Sequence, residues 1–500
     1  MKYCTLSQLC NLKSRYITRY HRLSSRKAKE RYTEKVKKVF LNDVIAAVST
    51  PRGKGGVAVI RISGDGTCDV MEKMFRPVGN RSILSYPPRH AIYGSVVTPD
   101  GSEIDRGILT LFRAPASYTG EDMAEVSCHG GVLVTREVLS CVLSSGARLA
   151  EAGEFTRRAY LNGKLTLTEA EAVGELLEAD TDDRRRLASS ALTGKLSGKI
   201  SEIADRLTGV MSALYAAIDY PEEDIGDSGE REIGGVIDDS ITEISKLLST
   251  YKRGKAVSDG VKCVICGKPN AGKSSLYNLI TGEESAIVTD IAGTTRDVLR
   301  ERVSFGGVTL ELSDTAGLRE TDDSVESIGV KRAEAEMKKA ELLIGVFDVS
   351  APMDQSEIAM IEKYPADCAK IAVINKTDLE SGMTESDLKL ICESHDSVVY
   401  MSCGDGVGLD ELSLKIGELF DAGCCEIGKD AVIWSARQEA TLRRAHEYLS
   451  SAKVSLEYGD PVDAVCTLCE GALSELSETD GRGVSEEIVS GIFSKFCVGK

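Results

Sequence analysis

Residues 262–274 read Lys-Cys-Val-Ile-Cys-Gly-Lys-Pro-Asn-Ala-Gly-Lys-Ser, and this stretch decides the fold of the central part of the chain. Its first five residues have the apolar content of a buried strand, and residues 267–274 match the phosphate-loop pattern G-x-x-x-x-G-K-S. In such a loop, backbone N–H groups surround phosphates at the start of a helix, Lys273 neutralises their charge and the Ser274 hydroxyl binds Mg²⁺. The stretch therefore predicts a nucleotide-binding α/β domain.

Two further segments predict that this domain senses the terminal phosphate. Residues 314–317 (Asp-Thr-Ala-Gly) end a strand predicted over 308–312, where the carboxylate of Asp314 can hold the metal. Thr294 and Thr295 lie in the loop before that strand, and one of them can close on Mg²⁺ when a triphosphate is bound.

Residues 375–378 (Asn-Lys-Thr-Asp) indicate which base is bound. They close a strand predicted over 370–374, and the Asp378 carboxylate can accept two N–H donors from guanine that adenine does not supply. Ser402-Cys403-Gly404 stands where many GTPases have Ser-Ala-Lys, which leaves the last guanine contact open. Together the motifs predict a guanine-nucleotide switch domain.

The sequence lacks the glutamine that usually orients the attacking water in GTP hydrolysis. Leu318 occupies the position after D-x-x-G where many related GTPases place a water-orienting Gln, and an apolar side chain cannot orient water. Glu326 lies a short distance downstream, near the start of a predicted helix. From the residues alone it is either the catalytic group or a solvated helix residue.

The pattern of the remaining chain predicts one helical domain interrupted by the α/β domain. Short strands and Gly/Pro turns over 43–149 indicate an α+β domain, and long amphipathic helices follow from Phe155. Residues 168–171 match a helix-capping box, strands and helices alternate over 261–420, and helical patterning returns from Ala431.

Composition and charge exclude several classes of protein. The chain has 42% hydrophobic and 28% charged residues and no run near the ~18 apolar residues of a membrane span, so neither disorder nor a membrane span is predicted. Its net charge of −17 makes broad binding of polyanions unfavourable, so any nucleic-acid contact would need a local patch or a basic partner. Fifteen cysteines at irregular spacings indicate reduced thiols.

Residues 1–38 are a separate, basic segment. They hold 12 Lys or Arg against only Glu30 and Glu34 and show no apolar helical face. We interpret them as a disordered extension or a mis-set translation start, with a mitochondrial transit peptide as the alternative. The expected location is therefore the cytoplasm, or the mitochondrial matrix if the segment is a transit peptide.

Several strings resemble the MnmE/TrmE family of tRNA-modification GTPases, over roughly residues 40–500. They are Asn270 within the phosphate loop, residues 289–297 (TDIAGTTRD), 314–320 (DTAGLRE), 55–64, 118–122 (YTGED), 153–156 (GEFT), 164–165 and the C-terminal 497–500 (CVGK). The split helical domain and the C-x-G-K ending are more specific than the GTPase motifs.

The resemblance implies a multidomain architecture. Its parts would be a basic extension 1–38, an N-terminal α+β, tetrahydrofolate-binding and dimerisation domain 39–155, a helical domain split into 156–255 and 425–500, and an inserted P-loop GTPase domain 256–424.

The resemblance also assigns roles to individual residues. The GTP-contacting positions would be Asn270, Ala271, Gly272, Lys273, Ser274, Ser275, Thr289, Asp290, Ile291, Ala292, Gly293, Thr294, Thr295, Asp314, Thr315, Ala316, Gly317, Asn375, Lys376 and Asp378. K⁺ would be held by Asn270, Thr289, Ile291 and Thr294, and Mg²⁺ by Ser274 and Thr295. A tetrahydrofolate one-carbon derivative would contact Arg61, Glu125, Lys164 and Lys500, while Glu326 and Cys497 would be catalytic.

The activity implied by the resemblance is K⁺-activated GTP hydrolysis coupled to tRNA modification. The chain would form a homodimer within a heterotetramer that includes an FAD-containing partner of the MnmG/GidA type. The complex would add an aminomethyl or carboxymethylaminomethyl group to C5 of wobble uridine. Two alternatives stay open, namely a regulatory or ribosome-assembly GTPase acting as a binding switch, and a folate-dependent methyltransferase with a GTPase appendage.

Overall fold

A computed structural model describes residues 43–51, 53–79, 81–219, 226–282, 300–313, 336–481 and 483–500. They form two compact units, one holding the residues up to Thr166 together with Val484–Lys500, the other Leu167–Gly483. The basic segment 1–38 lies outside the described residues. Within the described part of the chain, no helix is long and apolar enough to cross a membrane.

The first unit is built on a seven-stranded sheet. Its strands are β1 (Ile45–Val48), β2 (Val57–Ser63), β3 (Phe75–Pro77), β4 (Ala91–Val97), β5 (Glu103–Phe112), β6 (Met123–His129) and β7 (Arg148–Leu149). Their order in the sheet is β3-β4-β5-β6-β2-β1-β7, and every pair is antiparallel except β1 with β7. Alternate residues of β2 and β6 are buried against helices α1 (Thr67–Met74) and α2 (Val132–Ser144), as the period-two pattern of a one-sided sheet requires.

A third helix and the C-terminal segment complete this unit. Helix α3 (Glu154–Leu161) begins after Gly153, whose φ of 63° and close approach to the Phe493 carbonyl leave no room for a Cβ. Val498 forms an antiparallel bridge with Ala152, so the chain's last residues belong to the fold of the N-terminal part. The domain limits inferred from the family resemblance stay predictions.

The second unit begins with five helices. They are α4 (Leu167–Glu178), α5 (Asp182–Leu192), α6 (Lys195–Asp219), α7 (Gly226–Ser249) and α8 (Tyr251–Ser258). Helix α7 ends at Ser249, and α8 begins two residues later at Tyr251. The capping box expected at 168–171 is wrong, because α4 already begins at Leu167 and the Thr168 hydroxyl donates to the carbonyl of Thr479 at 3.1 Å.

A six-stranded sheet follows in this unit. Its elements are β8 (Val261–Cys266), α9 (Lys273–Gly282), β9 (Arg300–Phe305), β10 (Val308–Ser313), β11 (Leu342–Asp348), α10 (Gln355–Ile361), β12 (Ala369–Asn375), α11 (Glu385–Ser394), β13 (Ser397–Tyr400) and α12 (Leu409–Leu419). The strand order is β13-β12-β11-β8-β10-β9, parallel except for β9. Strand β8 lies between β11 and β10, so later strands are added on both of its sides. The carboxyl end of β8 is therefore a topological switch point, where open α/β sheets bind ligands.

Helices α13 (Ala436–Tyr458) and α14 (Val462–Thr479) pack against the first helices of this unit. Leu207, Ile237 and Leu449 belong to one buried cluster, which draws on helices from both sides of the sheet segment in the sequence. The prediction of a helical domain interrupted by an α/β domain is therefore confirmed.

The two connections of the interrupting segment are joined to each other at a neck formed by residues 250–254 and 422–433. The Ile433 N–H donates to the Thr250 hydroxyl at 3.1 Å, and the Arg253 guanidinium donates to the carbonyls of Ala422 and Cys425. A Cβ on Gly254 would come within 2.0 Å of the Ile433 carbonyl oxygen, so this close approach requires glycine.

Candidate functional site

The phosphate loop leaves β8 in a conformation that needs its glycines. Gly267 has φ 149° and a Cβ there would lie 2.3 Å from the Val346 carbonyl oxygen. Gly272 has φ 111°, and its Cβ would lie 2.0 Å from Nδ2 of Asn375. Asn270 adopts a left-handed φ of 61°, which asparagine tolerates better than most residues.

Lys273 opens helix α9 and its ammonium group lies over the loop. Nζ donates to the carbonyl oxygens of Gly267 at 2.9 Å and Lys268 at 2.8 Å. Burial lowers the pKa of this ammonium group. Ser274 and Ser275 follow in the first turn of the helix and are exposed, and the free N–H groups at a helix start favour phosphate binding.

Asn375 joins this loop to the segment that follows β13. Its Nδ2 donates to the Ala271 carbonyl at 2.7 Å, and its Oδ1 accepts the Cys403 N–H at 2.9 Å. The side chain is buried, so both bonds form away from water. The first residue of the Asn-Lys-Thr-Asp motif therefore fixes two loops of the site relative to one another.

Ser402 holds the predicted guanine-reading carboxylate. Its hydroxyl lies 2.9 Å from Oδ1 of Asp378 and 3.0 Å from Oδ2 of Asp405. A serine at this position thus orients Asp378 even though Cys403 and Gly404 replace the more common residues of the motif.

Asp348 is a site residue that the sequence reasoning missed. It ends β11, and its Oδ2 lies 2.5 Å from Nζ of Lys376, whose backbone has a left-handed φ of 65°. Ser350 donates both its N–H and its hydroxyl to Oδ1. Burial acts to raise the pKa of Asp348, but the hydrogen bonds from Lys376 and Ser350 outweigh it and lower that pKa. The signal available in the sequence was an acidic residue at the end of an apolar strand beside the motif strand.

The hairpin β9–β10 connects the nucleotide site to the helical part of the same unit. The Ser304 hydroxyl donates to Asp183 at 2.9 Å, and the hydroxyls of Thr309 and Thr181 lie 3.2 Å apart. Arg302 donates to Asp180 at 3.3 Å. The hairpin is the stretch of chain between the two predicted phosphate-sensing segments.

Several predicted residues lie outside the described residues. They are Thr289, Asp290, Ile291, Ala292, Gly293, Thr294, Thr295, Asp314, Thr315, Ala316, Gly317, Leu318 and Glu326. Their roles stay predictions. Within the described ranges, no group of three or more His, Cys, Asp or Glu side chains is arranged to hold a metal ion.

In the first unit, Arg61 and Glu125 are directly paired across β2 and β6, with Arg61 Nε 3.0 Å from Oε1 of Glu125. The Arg61 guanidinium lies 5.4 Å from the ring centroid of Tyr118 and 5.8 Å from that of Phe155. Two aromatic rings and a carboxylate therefore fix the orientation of this cation.

The backbone of Lys500 lies next to Phe155, whose ring contacts Arg61, because the Lys500 carbonyl accepts the Phe155 N–H at 3.2 Å. Lys164 donates from Nζ to the Pro115 carbonyl at 3.2 Å, at the base of the loop that carries Tyr118. The Cys497 side chain is exposed, and its carbonyl accepts the N–H groups of Gly153 and Lys500.

The Gly-Glu-Phe-Thr string at the start of α3 has a structural explanation. Glu154 accepts from Arg148 at 2.5 and 2.8 Å and from Arg158 at 3.1 Å. Arg158, which is fully buried, also donates to the Asp43 carboxylate at 2.6 Å, and Thr156 lies 2.9 Å from the Tyr118 hydroxyl. Buried charges of both signs thus anchor the helix that carries Phe155.

The mostly parallel sheet, the phosphate loop at its switch point and the buried Asn375 bridge define the class of this protein as a guanine-nucleotide-binding protein of the phosphate-loop type. Two family models match the chain, the MnmE helical domain over residues 167–497 and the GTP-binding protein TrmE N-terminus over residues 44–164. The chain belongs to the MnmE/TrmE family of tRNA modification GTPases.

Curated relatives are similar over nearly their whole length. The tRNA modification GTPase MnmE of Clostridioides difficile strain 630 is 39% identical over 462 residues, which cover 92% of this chain and 100% of the relative. The MnmE of Carboxydothermus hydrogenoformans is 38% identical, with 92% of this chain and 100% of the relative covered. That of Symbiobacterium thermophilum is 40% identical, with 92% and 99% covered.

Proposed function

We propose that this chain is a K⁺-activated GTPase that acts, with an FAD-containing partner, in the modification of C5 of wobble uridine in tRNA. The observation that carries the GTPase part is the Asn375 bridge, which joins the phosphate loop to the segment whose Ser402 orients Asp378. One buried side chain thereby couples the position of the phosphates to the position of the base.

The residues of the site divide the work of binding and hydrolysis. Backbone N–H groups at the start of α9 and the Lys273 ammonium bind the phosphates, and Asp378 selects guanine through its N–H donors. Glu326 orients the attacking water in place of the glutamine that Leu318 replaces. In this scheme the protein supplies position and charge, which is most of what phosphoryl transfer requires.

The exposed oxygen donors of the loop fit hard cations. The Asn270 carboxamide and the Ser274 hydroxyl are both exposed at the loop, and hard cations prefer oxygen ligands. Asn270 would hold K⁺ with Thr289, Ile291 and Thr294, and Ser274 would hold Mg²⁺ with Thr295. Bound there, the cations supply the positive charge that an arginine finger brings in other GTPases.

Replacing KCl with NaCl at equal ionic strength tests the K⁺ proposal. We expect GTP turnover to fall at least tenfold, a loss within the range attributed to removing a transition-state cation. Asn270→Gly is the matched variant, because glycine accepts φ 61° without a carboxamide, and it should be slow in both salts. Equal wild-type rates in the two salts would contradict the proposal.

The modification part of the proposal is supported by the family and by residues of the first unit. A carboxylate such as Glu125 suits the amide edge of a pterin, and cations such as Arg61, Lys164 and Lys500 suit the carboxylates of folate. The folate carrier would supply the one-carbon unit, and Cys497 is the candidate catalytic thiol beside it. Homodimerisation through this unit and a heterotetramer with the MnmG/GidA-type partner belong to the same proposal.

Glu326→Ala separates this proposal from a GTPase that acts only as a binding switch. The variant should bind GTP, lose hydrolysis and abolish wobble-uridine modification, because the switch cannot cycle. Mass spectrometry of tRNA nucleosides from cells that express only this variant measures the outcome. Glu418→Ala, which changes an exposed glutamate of α12, is the control. Normal modification without hydrolysis would show that GTP turnover is not coupled to the chemistry.

A further inference from the structure

A buried carboxylate contacts the phosphate loop from outside the GTPase motifs. Glu357 lies in the first turn of α10 and is 1% exposed. Its Oε2 lies 3.2 Å from Nζ of Lys268, the second residue of the phosphate loop, and also accepts the Asp354 N–H at 3.0 Å. Its Oε1 is buried and has no hydrogen-bond partner among the described residues. Burying a carboxylate with one oxygen unpaired costs free energy, so fold stability alone does not account for Glu357 at this position.

Lys268 in turn begins the turn that shapes the loop. Its carbonyl oxygen accepts the Ala271 N–H at 3.3 Å, which closes the turn over residues 268–271, and it also accepts from Lys273 Nζ at 2.8 Å. Asn270, with its left-handed φ of 61°, lies inside this turn. The turn over residues 268–271 therefore begins at Lys268. Because the Lys268 side chain is held by Glu357, the position of this first residue of the turn is restrained.

We propose that Glu357 is a positioning residue for nucleotide binding: through Lys268 it holds the phosphate loop in the shape that receives the phosphates. Without the pair, the turn would have to be ordered when the nucleotide binds, and that entropy cost would weaken affinity for GDP and GTP alike. The proposal rests on the nucleotide-binding role of the loop given above.

Glu357→Gln tests this role with little risk to the fold. Glutamine retains an oxygen that can accept the Asp354 N–H, so the start of α10 stays capped, and only the attraction to Lys268 is lost. We expect the Kd of both GDP and GTP to rise about fivefold, the effect of losing one partly buried ion pair. The melting temperature should stay within about two degrees of the wild-type value.

Lys268→Met and the double variant complete a cycle. Lys268→Met should raise both Kd values by the same factor, and the double variant should bind no more weakly than either single variant, because the two residues act as one unit. Glu418→Gln, which breaks an exposed Lys415–Glu418 pair of 2.8 Å on α12, is the matched control and should leave the Kd unchanged.

The outcomes distinguish this inference from the proposed function. Unchanged nucleotide affinity in Glu357→Gln, a lower melting temperature without a change in Kd, or additive losses in the double variant would each overturn the positioning role alone. Failure of the wild-type chain to bind GTP in the same titration would overturn the proposed function and the inference with it.

Discussion

At the scale of single residues, the site depends on side chains that fix other side chains. Asn375 holds the Ala271 carbonyl and the Cys403 N–H, and Ser402 holds Asp378. A residue such as Asp378 can discriminate between bases only if its carboxylate is already oriented, because an unoriented group pays for its ordering when the ligand binds. We therefore expect the nucleotide preference to depend on pairs of residues.

Asp378→Asn should change the base that is preferred. An asparagine presents an N–H group toward the N–H donors of guanine, so we expect the Kd for GTP to rise about a hundredfold and the Kd for xanthosine triphosphate to fall. Asp405→Asn is the matched control, because the Asp405 carboxylate lies 3.0 Å from the same Ser402 hydroxyl without belonging to the motif. Competition titrations with the two nucleotides measure the effect, and a variant that still prefers GTP would contradict the role of Asp378.

The phosphate-loop and Asn-Lys-Thr-Asp motifs could be recognised in the sequence because each is a short contiguous string. Asp348 and Glu357 could not, because their partners Lys376 and Lys268 are distant in sequence and meet them only through the pairing of β11 with β12 and the packing of α10. Neither contact follows from a local pattern.

At the scale of secondary-structure elements, α3 shows how a short helix is held in place. It has only eight residues, too few to be stable alone, and it is anchored by Glu154 with Arg148 and by Arg158 with Asp43. The ring of Phe155, fully buried, then supports Arg61. The helix is therefore an element whose stability depends on buried ion pairs.

Glu154→Gln should destabilise this unit in a pH-dependent way. Burial acts to raise the pKa of Glu154, but hydrogen bonds from Arg148 and from the Glu151 N–H outweigh it and lower that pKa below 4.5. The carboxylate therefore contributes stability above pH 4.5, and the contribution is lost as the pH falls through the folded-state pKa. We expect a loss of about 2 kcal/mol at pH 7 that shrinks below pH 4.5.

Urea denaturation, monitored by hydrogen exchange of the α3 amides at pH 7 and pH 3.5, would measure the difference in unfolding free energy between wild type and Glu154→Gln. Glu103→Gln is the control, because Glu103 forms an exposed pair with Arg106 in the same unit. A difference between wild type and Glu154→Gln that is equal at the two pH values would argue against the ionised network.

The long or strongly patterned elements could be predicted from the sequence, and the short ones could not. Strands β8, β10 and β12 lie where their apolar residues predict them. Strands β3 and β7 have three and two residues, too few for a periodic pattern, and are defined by their neighbours in the sheet. The capping box at 168–171 failed because the Thr168 hydroxyl bonds to a distant carbonyl.

At the scale of the whole molecule, the interruption of the helical domain could be predicted because helical patterning stops and returns. The joining of the two connections could not, since it depends on Gly254 meeting Ile433 and on Arg253 reaching two carbonyls on the returning chain. The polar contacts of Ser304 and Arg302 with the helical part likewise follow from packing.

The neck makes the nucleotide-binding segment separable in topology from the domain that carries it. In polymer terms the segment is a closed loop whose ends are pinned together, and the entropy of closing such a loop rises by only about 0.6 kcal/mol for each doubling of its length. Replacing residues 259–421, which spares the neck and the core residue Val257, with a Gly/Ser linker of about six residues should therefore leave the helical core folded. Trp434, the sole tryptophan and 4% exposed in that core, reports the result as a cooperative fluorescence transition. A variant without such a transition would mean that the loop holds its host together; a folded one would show that the position accepts cargo of other lengths, such as a reporter domain.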